Sequence, residues 1–310
     1  MLEVILILLV IAVSFTSEKF LTVKNILNIL RSMSMTGIIA FGMTFIIIAG
    51  EIDLSIGSTV GLSGVIVALV TKSLSPSIGI TAAAILGIVI AMAAGAVIGL
   101  ISGTLLTKFK MPSFIITLGL MNLLYGLAAV ISKGFPITGL PQWFSWFGAG
   151  NVFDTVPVPA IFLLIVFAVT AVVLKYTRFG RSVYAAGGNP ESARLSGINV
   201  NRVKVIVFII VQLCSAFAGI LLSSQVMSGT YSFGRGWEMT AISAVVIGGA
   251  PMSGGSGKIW NTFLGIIFLG VLSNAMTLNG VDDYVQYIVQ GVLIIGAVLI
   301  NSIQAKRKTA

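Results

Sequence analysis

Ten apolar runs, most of them about 17 to 25 residues long, follow one another along a chain of 310 residues. That is the length a helix needs to cross about 30 Å of hydrocarbon. The runs lie near residues 2–16, 33–50, 54–71, 78–106, 112–132, 157–174, 203–226, 238–252, 259–278 and 284–303. Charged residues make up only 9% of the chain and the mean hydropathy is +1.10, against about 25% charged in an ordinary soluble domain. The expected fold is therefore all-α: a polytopic membrane protein of about ten transmembrane helices, a single transmembrane domain over 1–310. The first run is short and has no basic residue before it, so the natural start is expected upstream or the helix is finished by residues 17–21. Without a positive leader or a small-residue cleavage site it reads as a retained helix.

Lys and Arg fix the orientation. With both termini inside, the cytoplasmic segments hold Lys108, Lys110, Lys175, Arg178, Arg181, Arg194, Arg202, Lys204, Lys258, Lys306, Arg307 and Lys308. Lys19, Lys24, Arg31, Lys72, Lys133 and Arg235 fall outside. Membrane orientation thus accounts for the net charge of +9, and no nucleic-acid partner is expected. An external loop at about 133–156 divides the spans into halves of about 1–132 and 157–303, five spans each. An odd number per half requires the halves to be inverted, which places a solute path between them near the midplane. The aromatic cluster Trp143, Phe144, Trp146 and Phe147 in that loop reads as an interfacial belt or as a contact for an external partner. Gly87, Ala91, Gly95, Gly99 and Gly103 recur every four residues and predict a close-packed helix face, within the subunit rather than across a dimer.

One Cys and no His exclude a Cys/His zinc site, a histidine base and a disulfide framework. Cys214, in an apolar run, reads as a small buried side chain. No catalytic residue, metal or cofactor is expected. The chemistry-bearing residues fall into three motifs. In Gly50-Glu51-Ile52-Asp53-Leu54-Ser55-Ile56-Gly57-Ser58, two carboxylates between apolar runs must face water, a partner or a helix terminus. Asp53 or Ser55 is expected to cap the helix starting near residue 54, or these residues line the path; Glu51 is expected to face an aqueous cavity. The stretch from Glu238 to Gly249, followed by Ser253-Gly254-Gly255-Ser256-Gly257, predicts a tight turn at a span junction, with Glu238 as a further path or cap residue. Gly257-Lys258 is not a nucleotide loop, because Met252 and Ile259 stand where Gly and Ser or Thr are required. The third motif, Gly180 to Ile198, is a polar, basic interruption. Asn189 suits an N-cap, Pro190 the first helical position, Glu191 the positive terminus and Gly197 the stop, giving a helix of about seven residues outside the membrane.

In this order the three motifs resemble the permease subunits of bacterial ribose-type, sugar-importing ABC transporters, from about residue 33 to 303. The chain departs from that pattern at Glu51, where most relatives carry Gly, and at Ala250-Pro251 and Ser256. The resemblance implies that the loop at about 175–202 is a coupling loop whose residues Asn189, Pro190, Glu191, Ala193, Arg194 and Gly197 seat in a cytoplasmic ATP-binding subunit. It also implies an external, periplasmic or lipid-anchored substrate-binding protein and a second permease subunit, as homodimer or heterodimer, in the bacterial inner membrane. The implied activity is import of a small hydrophilic solute, a monosaccharide foremost. Branched-chain amino acids, nucleosides and a furanosyl signalling molecule are alternatives within the same superfamily. An ion-coupled secondary transporter using Glu51 and Asp53 is the alternative outside it.

Overall fold

The computed structural model describes residues 2–309. Met1, Ala310 and the side chains of Asp283, Ala297, Val298, Ile300 and 301–309, including Lys306, Arg307 and Lys308, lie outside the described residues. Helices occupy all ten apolar runs: α1 Leu2–Thr16, α2 Val23–Ile48, α3 Ile56–Ile78, α4 Ile80–Lys108 and α5 Ser113–Ser132, then, after the short α6 Ser145–Ala149, α7 Val158–Tyr176. Two helices without an apolar run of their own, α8 Arg178–Gly188 and α9 Pro190–Leu195, precede α10 Val200–Val226, α11 Trp237–Ile247, α12 Ile259–Leu278 and α13 Asp283–Thr309. Among the described residues, seven of these, α2 to α5, α7, α10 and α12, are long and apolar enough to cross a bilayer. A span expected over 238–252 is not formed at full length. The helix there has eleven residues, about 16 Å of rise, and stops at Gly248-Gly249, where Gly249 turns to φ +87°.

α2 and α10 form the centre. α10 lies against α2, α3 and α4, while α2 lies against α10, α11 and α12; α3 packs on α4 and α5 as α11 packs on α12 and α13. The small-residue stripe of α4 makes this closeness possible and works inside the subunit. Gly87 lies against Val67 of α3, and Gly95, Gly99 and Gly103 lie against Gln212, Ile209 and Val205 of α10, where an added methyl would meet backbone. The central core is correspondingly dense: Ile38, Phe41, Met43, Phe45 and Phe208 are fully buried. Lone polar residues are paired across helices, as between Thr44 and Thr262 (2.8 Å) and Asn25 and Asn274 (2.8 Å). Cys214 is partly buried beside Gly42.

One end of the bundle carries α8, α9 and the glycine-rich turn 248–258. The other carries α6 and the loop around it. There Phe144 is buried, whereas Trp143 and Trp146 are exposed, so the aromatic cluster divides between an anchor and an open surface. Arg31 ties this loop to α2 by donating to the Ala149 carbonyl (2.8 Å) and Asn151 Oδ1 (2.5 Å).

Candidate functional site

Two breaks in the helices create the site. After α2 ends, residues 49–55 turn inward before α3 begins, and Asp53 reaches Gln212, twelve residues or about 18 Å along α10 from its start. After α10, Ser228 and Gly229 pair antiparallel with Thr138 and Ile137. The chain then descends along α3, with Gly229 against Gly64 and Gly234 against Gly57, about 10 Å farther down. α11 starts there, so α3 and α11 begin beside each other and run apart. A methyl on Gly57 would collide with the Gly234 carbonyl and the Glu238 carboxylate; only glycine allows this approach.

Between these helix starts lies a cleft of about 170 Å³, lined by Gly57, Ser58, Met121, Asn122, Tyr125, Phe233, Arg235 and Glu238. Both helices aim their positive N-terminal ends at it. Ser58 donates to the Met121 carbonyl (2.7 Å), which holds α5 against the mouth of α3. Tyr125 sits edge-on to Tyr231 (5.3 Å) and under the Arg235 guanidinium (5.9 Å). The cleft thus offers an amide, a carboxylate, a guanidinium and an aromatic face, the mixture of apolar wall and few polar groups that holds a small polar molecule.

Of Glu51, Asp53, Ser55 and Glu238, the four path or cap candidates, only Glu238 lines this cleft. Asp53 is completely buried. Its Oδ1 accepts from the Ser55 amide (2.8 Å) and hydroxyl (2.6 Å), and its Oδ2 accepts from Gln212 Nε2 (2.7 Å). Gln212 Nε2 also donates to Ser55 Oγ (2.8 Å), and its Oε1 accepts from Thr59 (2.6 Å). Neither side chain caps α3 in the expected way: Ser55 is the N-cap residue but accepts no first-turn amide, because its hydroxyl is committed to Asp53 and Gln212. Asp53 holds the residue before the helix instead. Glu51 pairs with Lys204 (2.5 Å), both largely buried, and lines a separate cavity of about 420 Å³ with Lys110, Pro190 and Arg194.

The third motif folds as two helices where one was expected. α8 starts at Thr177, whose hydroxyl accepts from the Gly180 amide (3.1 Å), and buries Gly180, Val183 and Ala186. Gly187 comes so close to the Ile48 carbonyl and Gly255 that a side chain has no room, while Gly255 donates its amide to that same carbonyl (2.8 Å). Tyr184 donates to the Gly257 carbonyl (2.7 Å). α9 has the anticipated ends: Asn189 accepts from the Ser192 amide (2.9 Å), Pro190 is the first helical residue, and Gly197 (φ +82°) passes the chain back so that the Ile198 amide reaches the Ala193 carbonyl (3.0 Å). Glu191 and Arg194 pair on its exposed side (3.5 Å). Ala193 is different from its expectation: it is 4% exposed and faces the body of the protein, whereas Leu195 is 83% exposed.

Gln212, Thr59, Asn122 and Arg235 are site residues that sequence reasoning missed. A signal existed for Gln212, an amide in the middle of an apolar run; the others look like ordinary polar residues until the fold gathers them.

Residues 25–298 match the protein family described as branched-chain amino acid transport system, permease component. The chain is 44% identical over 299 residues to the ribose import permease protein RbsC of Bacillus subtilis (strain 168), covering 96% of this chain and 90% of that protein. It is 40% identical over 302 residues to RbsC of Escherichia coli (strain K12), covering 96% and 91%. With the L-arabinose transport system permease protein AraH of Escherichia coli (strain K12) it shares 36% identity over 305 residues, covering 98% and 90%. No solved structure matches the chain.

Proposed function

The chain belongs to the family of branched-chain amino acid transport system permease components, and from that membership we propose that it is the membrane subunit of an ATP-driven importer that passes a monosaccharide. The observation that carries the reading is the meeting of two helix starts, α3 from one half and α11 from the other, around a small polar cleft. Such breaks are where transporters hold their solutes. Asn122, Arg235 and Glu238 would exchange hydrogen bonds with sugar hydroxyls. The equivalent packing of α2–α5 and α10–α13 supports two inverted halves within ten spans. The excess of Lys and Arg at the α8/α9 end supports placing that end, and both termini, in the cytoplasm of a bacterial inner membrane.

In this reading ATP is hydrolysed on a separate cytoplasmic subunit that grips α9. The exposed surface of Glu191, Arg194 and Leu195 is the contact. Asn189, Pro190 and Gly197 shape it, and Ala193 roots it in the body. A push on α9 passes to α8 and through Gly187 to Ile48, where the first break begins, and to Gly255 in the turn after α11, as a rigid-body movement. A binding protein delivers the sugar at the α6 end, and a second permease subunit completes the pore. An ion-coupled carrier is disfavoured, since Glu51 is ion-paired and Asp53 fully hydrogen-bonded.

The test is uptake of labelled ribose and arabinose by cells expressing the permease with its ATP-binding and substrate-binding subunits. Glu238→Gln and Asn122→Ala are expected to reduce uptake at least tenfold while ATPase co-purification stays intact. Wild-type uptake in both variants would exclude the cleft as the path, and competition by a branched-chain amino acid but not by sugar would replace the substrate.

A further inference from the structure

A cavity of about 880 Å³ lies away from the cleft, on the flank where α7, α8 and α12 meet. Its wall changes character along its length. Phe167, Ala171, Val172 and Leu174 make an apolar stretch along α7, about 10 Å long. At the α8 end three cations, Lys175, Arg181 and Lys258, line the same cavity. None of the three is paired with a carboxylate among the described residues, and the described lining contains no acidic residue. Tyr176, 66% exposed, lies beside Lys175 at the cationic end (5.0 Å from Nζ to the ring centre), as phenol rings do at a membrane interface. Trp260, 50% exposed, lies instead against Phe167 in the apolar stretch (ring centroids 6.2 Å) and donates to Glu3 Oε1 (3.4 Å).

An apolar groove topped by cations without a carboxylate partner among the described residues matches one kind of molecule in its surroundings. We propose that this cavity binds one anionic phospholipid of the inner leaflet, with its phosphate among Lys175, Arg181 and Lys258 and an acyl chain along Phe167 to Leu174. The leaflet assignment rests on the orientation read above; the lipid site itself does not. Basic pockets between membrane helices on the cytoplasmic side take anionic head groups, at about fivefold in affinity per cation near the surface. Lipid seated here would touch α8 and the 255–258 turn together, the two elements that Tyr184 and Gly187 join.

The purified permease in neutral detergent is titrated with phosphatidylglycerol, phosphatidylcholine and inorganic phosphate, followed by native mass spectrometry and thermal melting. Phosphatidylglycerol is expected to stay bound and raise the melting temperature; the other two are not. Combined Lys175→Gln, Arg181→Gln and Lys258→Gln should weaken retention ten- to a hundredfold, whereas Lys24→Gln, Lys72→Gln and Lys133→Gln together should not. A second readout needs no charge variant: in a Trp143→Phe, Trp146→Phe background, which removes the exposed indoles of the α6 end, phosphatidylglycerol with brominated chains should quench tryptophan fluorescence, and Trp260→Phe should remove that quenching. Equal effects of both lipids, quenching that survives Trp260→Phe, or a triple variant that keeps the lipid and instead loses the ATP-binding subunit would overturn the proposal. External labelling of a cysteine at position 175 in cells would overturn the leaflet alone.

Discussion

Gln212 holds together residues that the chain keeps far apart. A carboxylate without exposure requires its full set of donors, and Asp53 takes two from Ser55 and one from Gln212. Gln212→Leu removes the donor that comes from the other half, and a lost hydrogen bond to a charged group costs about 1.5–3 kcal/mol. The variant is therefore expected to melt at a clearly lower temperature in detergent, while Thr59→Val, which leaves the carboxylate bonded, should lose less. An unchanged melting curve for Gln212→Leu would show that Asp53 has other support. That Glu51 and Asp53 needed partners was readable from their apolar flanks. The partners were not, because Lys204 and Gln212 lie 153 and 159 residues away and nothing local points to them.

At the level of elements, cap chemistry was the most legible signal. Asn189, Pro190 and Gly197 bound α9 as their side chains and backbone preferences require. Which side of a six-residue helix faces inward is not set by its own letters, and Ala193 was expected to meet the partner when it meets the core. The corrected face changes the experiment. Ala193→Trp should overpack the interior and destabilise the permease itself, by about 1–3 kcal/mol. Leu195→Asp should leave melting and insertion as in the wild type while abolishing ATPase co-purification and uptake together. Uptake that persists at the wild-type rate without ATPase binding would remove α9 from the coupling path. α8 escaped notice because its three glycines depress helix propensity; its stability comes from burial of Gly180, Val183 and Ala186. The truncation of α11 was half visible, in Gly248-Gly249 and Pro251, but an apolar run does not say where its helix bends away from the axis.

For the whole molecule, apolar runs located the helices well, since length and hydropathy are local properties. They could not reveal that α3 and α11 start inside the bundle. Orientation has its own test: single cysteines at positions 108, 194, 133 and 143 in a Cys214→Ser background, probed in intact cells with an impermeant thiol reagent. Positions 133 and 143 are expected to react and 108 and 194 to stay protected; labelling of 194 from outside would reverse the arrangement. The bond between Asp53 and Gln212 also sets a timetable for biogenesis. A ribosome making about 5–20 residues per second needs on the order of ten to thirty seconds to travel the 159 residues between them. Throughout that interval the nascent first half holds a carboxylate whose distant donor has not yet been synthesised. The start of α3 cannot settle until α10 enters the bilayer, so the two halves must mature together, with the earlier one waiting for the later.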